Sequence, residues 1–138
     1  MIGNFMRLNQ ASDFALRILM FLADKNEPVV VDEIATQLKL VKSHTMKIVA
    51  KLVRAKILTS QRGRAGGVTL GKPAEEIRVG DVVRAIEADF AIVECMRPEG
   101  SACTFLPKCR LKGVMRDARQ AFMDVLDKQS LDSLIGSP

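Results

Sequence analysis

Apolar residues recur along the chain first at helical and then at strand spacing. Ala11, Ala15, Ile18, Leu19 and Leu22 fall on one face, with Phe14 and Phe21 beside it, which predicts a helix from about Asn9 to Asp24. Ser12 or Asn9 can cap its start, and the polar stretch from Asp24 to Pro28 ends it. The run Asp32 to Leu38 reads as a short second helix with Asp32 at its N-cap. Lys39, Leu40 and Val41 then form a tight connection into a third helix, from about Lys42 to Lys56. Its buried stripe is expected from Ile48, Leu52 and Val53, flanked by Met46 and Val49. Lys42, Ser43, His44, Lys47, Lys51 and Arg54 are its polar positions.

Two strand-like runs follow, Ile57 to Gln61 and Val68 to Leu70, around Arg62-Gly63-Arg64-Ala65-Gly66-Gly67. Three glycines in that turn permit positive φ angles and a close backbone approach. Beyond Pro73 a short helix is expected from Val79 to Ala88, with Val82, Val83 and Ile86 inward. The segment from Cys95 to Cys109 holds Pro98, Gly100 and Pro107 and reads as an irregular loop. A long helix then runs from about Arg110 to Leu126. Its apolar stripe is Leu111, Val114, Met115, Ala118, Phe122, Val125 and Leu126. Such a stripe can pack on its own domain or on another chain, and a two-fold dimer is the favoured arrangement. Leu131, Leu134 and Ile135 add one closing turn.

Two helices joined by a three-residue turn have the shape of a helix-turn-helix. The second helix must present N-terminal side chains to base edges in a major groove, and Lys42, Ser43, His44 and Lys47 stand there. The glycine-rich hairpin is the wing, its Arg62 and Arg64 suited to a narrow minor groove. Charge strengthens this reading. From Lys39 to Pro73 the chain carries nine of its 21 Lys and Arg and none of its 16 Asp and Glu. The rest of the chain holds 12 basic against 16 acidic residues, so the net charge of +5 is a local property of this stretch. Segregation of one sign over such a length favours a phosphate-binding surface, and double-stranded DNA is the expected partner.

Composition narrows the chemistry further. At 138 residues and 48% hydrophobic content, the chain is one compact domain and not a disordered one. Within it, residues 1–75 form the DNA-binding region, and residues 76–138 hold the cysteine loop and the long helix. No apolar run reaches membrane-spanning length, and no export signal opens the chain, so a cytoplasmic protein is expected. One histidine, no tryptophan and no tyrosine leave little for acid–base catalysis, so an enzyme is not expected.

The three cysteines, Cys95, Cys103 and Cys109, are an odd, clustered set with spacing C-x7-C-x5-C, which points to metal rather than disulfides. An iron–sulfur cluster and tetrahedral zinc both usually want four ligands. No histidine lies near the cysteines. The fourth position is therefore open to Asp13, Glu94, another carboxylate, water or a small thiol. A weak oxygen ligand makes a metal site reactive toward small molecules, which suits a sensor.

Several segments together resemble the Rrf-two family of dimeric winged-helix regulators that carry iron–sulfur clusters. They are Met6-Arg7-Leu8, Ser12-Asp13-Phe14-Ala15-Leu16-Arg17, the wing from Arg62 to Val68 and the three-cysteine loop. The resemblance runs from about Met6 to Ile135, so Met1–Phe5 are an extension or a misassigned start. It implies a mainly α winged helix-turn-helix with a long C-terminal dimerisation helix and a cysteine-bearing cluster loop. Val79-Gly80-Asp81-Val82-Val83-Arg84, Cys109-Arg110-Leu111-Lys112 and Asp13 are most similar to the nitric-oxide-sensing repressors of that family. The resemblance implies that Cys95, Cys103 and Cys109 hold the cluster, with [4Fe-4S] favoured over [2Fe-2S]. It further implies that Asp13 of the partner subunit can be the fourth ligand, with Arg17 beside it to pair with it. DNA contacts are implied at Lys42, Ser43, His44, Lys47, Arg62, Gly63, Arg64, Gly66 and Gly67. Iron or redox sensing within the family, and a zinc-stabilised DNA-binding protein, are the alternative readings.

Overall fold

The computed structural model describes residues 8–64, 66–87, 96 and 109–136. Helix α1 spans Gln10–Ala23, α2 Val31–Leu38 and α3 Lys42–Arg54. Strands β1 (Leu58–Gln61) and β2 (Gly67–Leu70) pair antiparallel, with Leu58 opposite Leu70 and Gln61 opposite Gly67. A 3-10 turn at Ala74–Glu76 leads into α4 (Val79–Ile86), and α5 (Arg110–Asp127) and α6 (Leu131–Ile135) close the chain. Among the described residues no helix is long and apolar enough to cross a membrane.

Each boundary has a local cause. Asn9 caps α1 by accepting a bond from the Ala11 amide at 2.9 Å, while Ser12 is fully buried inside the helix. α2 starts at Val31, one residue earlier than the sequence suggests, and Val30 at its N-cap makes no side-chain bond. Asp32 is therefore not the cap. Its carboxylate pairs with Lys42 at 2.6 Å and ties the start of α2 to the start of α3. Between these helices Lys39 takes a left-handed conformation (φ 55°), so its amide and that of Leu40 close on Thr36 and Ala35. Lys56 does the same (φ 63°) after α3, which ends at Arg54 and turns into β1.

The core is shared by elements from the whole described chain. Ile18 and Leu19 of α1, Ile34 of α2, Ile48 and Leu52 of α3, Leu58 of β1, Val82 and Ile86 of α4 and Leu131 of α6 all meet in it. Each such side chain contributes roughly 1.5–3 kcal/mol on burial. Val29 bridges to Val68 by two backbone bonds of 2.9 and 3.1 Å, which anchors the hairpin to the loop before α2. The tail is tied in by the Leu131 amide on Ile77 carbonyl oxygen (2.7 Å) and the Val79 amide on that of Gln129 (2.9 Å).

Two expectations about buried stripes change. Met46 is 53% exposed rather than flanking the core, and Thr45 is the residue buried there, its hydroxyl donating to the Val41 carbonyl oxygen at 2.9 Å. On α5 the buried contact is Met123, with Met115 and Leu126 half-buried. Leu111, Val114 and Val125 of the expected stripe stand more than half exposed, and Ala118 is exposed between them.

α5 is fastened to α4 by a bidentate pair from Arg84 to Asp127, at 2.8 and 2.7 Å. The hydrogen bonds from Arg84 hold the Asp127 carboxyl below the ordinary aspartate range, partly opposed by desolvation. A depressed folded value means that the pair stabilises the fold at pH above the ordinary aspartate value. The contribution is lost as pH falls through the folded value. Asp127→Asn is accordingly expected to melt below the wild type at neutral pH. That gap should close on acidification below about pH 4, followed by circular dichroism. A gap independent of pH would assign the effect to packing instead.

Candidate functional site

The face of α3 away from the core is set by what α3 buries. Thr45, Ile48, Val49 and Leu52 point inward, so Ser43, Met46, Lys47, Ala50 and Arg54 share the opposite side at i, i+3, i+4, i+7 and i+11. Lys42, His44 and Lys51 flank this stripe, and all are exposed. The expected contact residues Lys42, Ser43, His44 and Lys47 thus lie in the first turns of one exposed helix. Of the nine basic residues between Lys39 and Pro73, only Lys42 has a carboxylate partner among the described residues. Of the other eight, all but the half-buried Lys72 are exposed, and none has a carboxylate partner among the described residues, which is the electrostatic footprint of a polyanion site.

The hairpin places a second basic element beside the helix. Its turn is closed by the Gly66 amide on the Gly63 carbonyl oxygen at 2.9 Å, with Gly63 at φ 105°. Arg62 and Arg64 are exposed at the tip. Gly66 and Gly67 are required by space. A Cβ on Gly66 would lie 2.7 Å from the carbonyl oxygens of Gln61 and Gly63. One on Gly67, which has φ 143°, would lie 2.6 Å from the Val29 backbone. The glycines of the hairpin therefore shape it, and its arginines carry the charge.

The start of α1 forms one wall of the same surface. Asn9, Gln10, Ala11 and Phe14 face His44, Lys47, Ile48 and Lys51 across a groove of about 260 Å3. Sequence reasoning missed what fixes this wall. Glu87, just past α4, accepts from the Asn9 amide at 2.9 Å and from the buried Ser12 hydroxyl at 2.8 Å. Nothing local in the sequence signals a bond between residues 75 and 78 positions apart.

Of the expected metal ligands, Cys95 and Cys103 lie outside the described residues, as does Ala65 of the wing. Cys109 is a free, half-buried thiol at the N-cap of α5. Asp13 is exposed in the first turn of α1 and pairs bidentately with Arg17, at 2.9 and 3.1 Å. Arg17 also lies over the Phe14 ring, 5.6 Å from its centroid. Among the described residues no three His, Cys, Asp or Glu side chains gather as a metal site.

The chain is similar to known transcriptional regulators. Residues 8–137 match the family model Rrf2, described as an iron-dependent transcriptional regulator. The chain is 41% identical to the HTH-type transcriptional regulator NsrR of Bacillus licheniformis, over 94% of this chain and 92% of that protein. It is 39% identical to the NsrR regulator of Bacillus subtilis, over 94% and 90%. Among solved structures it is similar to CymR of Staphylococcus aureus in its oxidised form. That similarity has a TM-score of 0.74 and 27% identity over 96% of this chain and 98% of that one. CymR of B. subtilis, described as the global cysteine regulator, gives a TM-score of 0.75 at 25% identity over 95% and 97%.

The unneutralised surface makes a direct prediction. Arg64→Ala is expected to weaken binding to a duplex selected by the protein by about 1–3 kcal/mol in electrophoretic titrations, and by less on random duplex. Equal weakening on both would reduce Arg64 to a phosphate contact.

Proposed function

The chain belongs to the Rrf2 family of transcriptional regulators, not of enzymes, and from that premise we propose that it is a homodimeric repressor whose DNA binding is governed by an iron–sulfur cluster that senses nitric oxide. The observation that carries the DNA part is the exposed basic surface shared by α3 and the wing. In this reading the Lys42–Lys47 face enters successive major grooves of a two-fold operator, and Arg62 and Arg64 enter the flanking minor grooves. The dimer is supported by α5, where Leu111, Val114, Ala118 and Val125 follow one another at heptad-like spacing on an exposed face.

The donor set fits a cluster: three soft cysteine sulfurs, one of them at the N-cap of α5, and a carboxylate within reach of solvent. Cys95, Cys103 and Cys109 would hold it, with Asp13 of the partner subunit as the fourth ligand, and [4Fe-4S] is favoured over [2Fe-2S]. When bound, the cluster supplies iron that reacts with nitric oxide. What the chain itself contributes is a choice of partner for one carboxylate. Asp13 is held here by Arg17 of its own helix, and ligation would take it from Arg17. The turn that carries Asp13 is also the turn that Glu87 pins and that borders the recognition helix. A changed partner at Asp13 therefore acts on a wall of the DNA-binding surface. A hundredfold change in operator affinity needs about 2.7 kcal/mol, within ordinary coupling energies.

The test is anaerobic purification with iron, sulfide and zinc analysis, followed by nitric oxide titration while duplex binding is measured. A brown protein that releases DNA at a few nitric oxide per cluster is expected, and Cys95→Ala, Cys103→Ala or Cys109→Ala should each lose the visible absorbance. A brown protein indifferent to nitric oxide but responsive to chelator or oxygen would replace this reading with iron or redox sensing. A colourless zinc protein would sink the sensor. The dimer has its own measurement: the wild type should sediment as a dimer and Val114→Glu as a monomer, whereas a monomeric wild type would overturn it.

A further inference from the structure

The outward stripe of α3 is not wholly polar. Met46 stands between Ser43 and Lys47 on it, 53% exposed, with Ala50 one turn further on. Beside Met46 and Ala50, the side chains of Val31, Val49 and Val53 line an open groove toward β1, with Arg54 and Ser60 at its edge. The groove thus lies between α3 and the first strand of the wing, whose turn carries Arg62 and Arg64. A single exposed methionine on a protein surface is unremarkable. Here it occupies the second turn of the helix that presents its N-terminal residues to a duplex, and no acidic residue falls between Lys39 and Pro73 to repel phosphates.

We propose that Met46 is a specificity-determining residue that reads a thymine 5-methyl group in the major groove. The major groove offers one apolar feature, that methyl group, and side chains that select it must be apolar and outward on the recognition element. Met46 is the large apolar side chain on the outward stripe of α3, and its unbranched, polarisable thioether adapts to a methyl surface. Ala50 leaves room for the helix to approach, while Lys47 and Arg54 on the same stripe are placed for phosphate or guanine. The inference rests on the DNA-binding reading above and adds the base feature that the helix selects.

The experiment is a double-substitution cycle. The full-length protein, purified anaerobically and kept so that any cluster stays intact, first selects duplexes from a randomised pool, and the enriched duplex is resynthesised with each thymine in turn replaced by uracil, which removes only the methyl group. For the wild type, uracil at the one responsive position of a single half-site should lower affinity about fourfold, the worth of one buried methyl, and uracil at both half-sites about fifteenfold. Met46→Ala, which removes the contact from both half-sites of the dimer, should lower affinity for the thymine duplex by about fifteenfold and lose all further response to uracil at either position. Met46→Leu, which keeps an apolar contact, should retain the uracil response. Because Met46 is exposed, the melting temperature of these variants should match the wild type, which separates lost contact from lost fold. Failure to enrich any duplex would overturn the DNA-binding reading and this proposal with it. An enriched duplex with no thymine response, or one whose response persists in Met46→Ala, would overturn the assignment of Met46 and leave DNA binding standing.

Discussion

One packing constraint organises the molecule: α3 can bury only one face. Thr45, Ile48, Val49 and Leu52 occupy that face against α1, α2 and α4, with Val53 half-buried at its edge, and the other residues of the helix are exposed. The burial of Ile48 and Leu52 supplies several kcal/mol, enough to hold a helix whose exposed side is dominated by mutually repelling lysines. That repulsion is a cost in the free protein and an advantage beside a polyanion. The surface that destabilises the isolated domain is the surface that gains most when phosphates approach.

The supports of α3 come from distant parts of the described chain. α2 is fixed to it by the Asp32–Lys42 pair and by the left-handed turn at Lys39. α1 lies across it, and the first turn of α1 is pinned from the far side of the chain by Glu87. α4, which leads to Glu87, is in turn locked to α5 through Arg84 and Asp127. Cys109 at the N-terminus of α5 and Asp13 near the N-terminus of α1 thus sit at opposite ends of one continuous set of contacts.

The sequence made much of this legible, for reasons that differ by element. α1 and α4 were readable because their apolar positions recur at helical spacing on helices buried along one side only, as Ile18, Leu19, Val82 and Ile86 are. The wing was readable because positive φ and close backbone approach at Gly63 and Gly67 leave few residue types to choose from. Asp32 misled because an aspartate ahead of an apolar run is a common cap, and here a lysine of the next helix competes for it. Met46 misled for a similar reason. Hydrophobicity alone set the methionine beside the buried stripe, whereas the residue buried there is Thr45, which satisfies its hydroxyl on Val41 and can be buried without cost to the hydrogen-bond count.

By itself, the sequence determined the order of the helices, the basic stretch from Lys39 to Pro73 and the set of three cysteines, because periodicity, charge and spacing are local properties of the chain. Only the tertiary structure decided which side of α3 and α5 faces solvent, which carboxylate pairs with which cation and that Glu87 anchors the start of α1. Those outcomes depend on distances between residues far apart in sequence. A helix carries no record of which neighbour it will meet until the core, by excluding water from one of its faces, selects that neighbour.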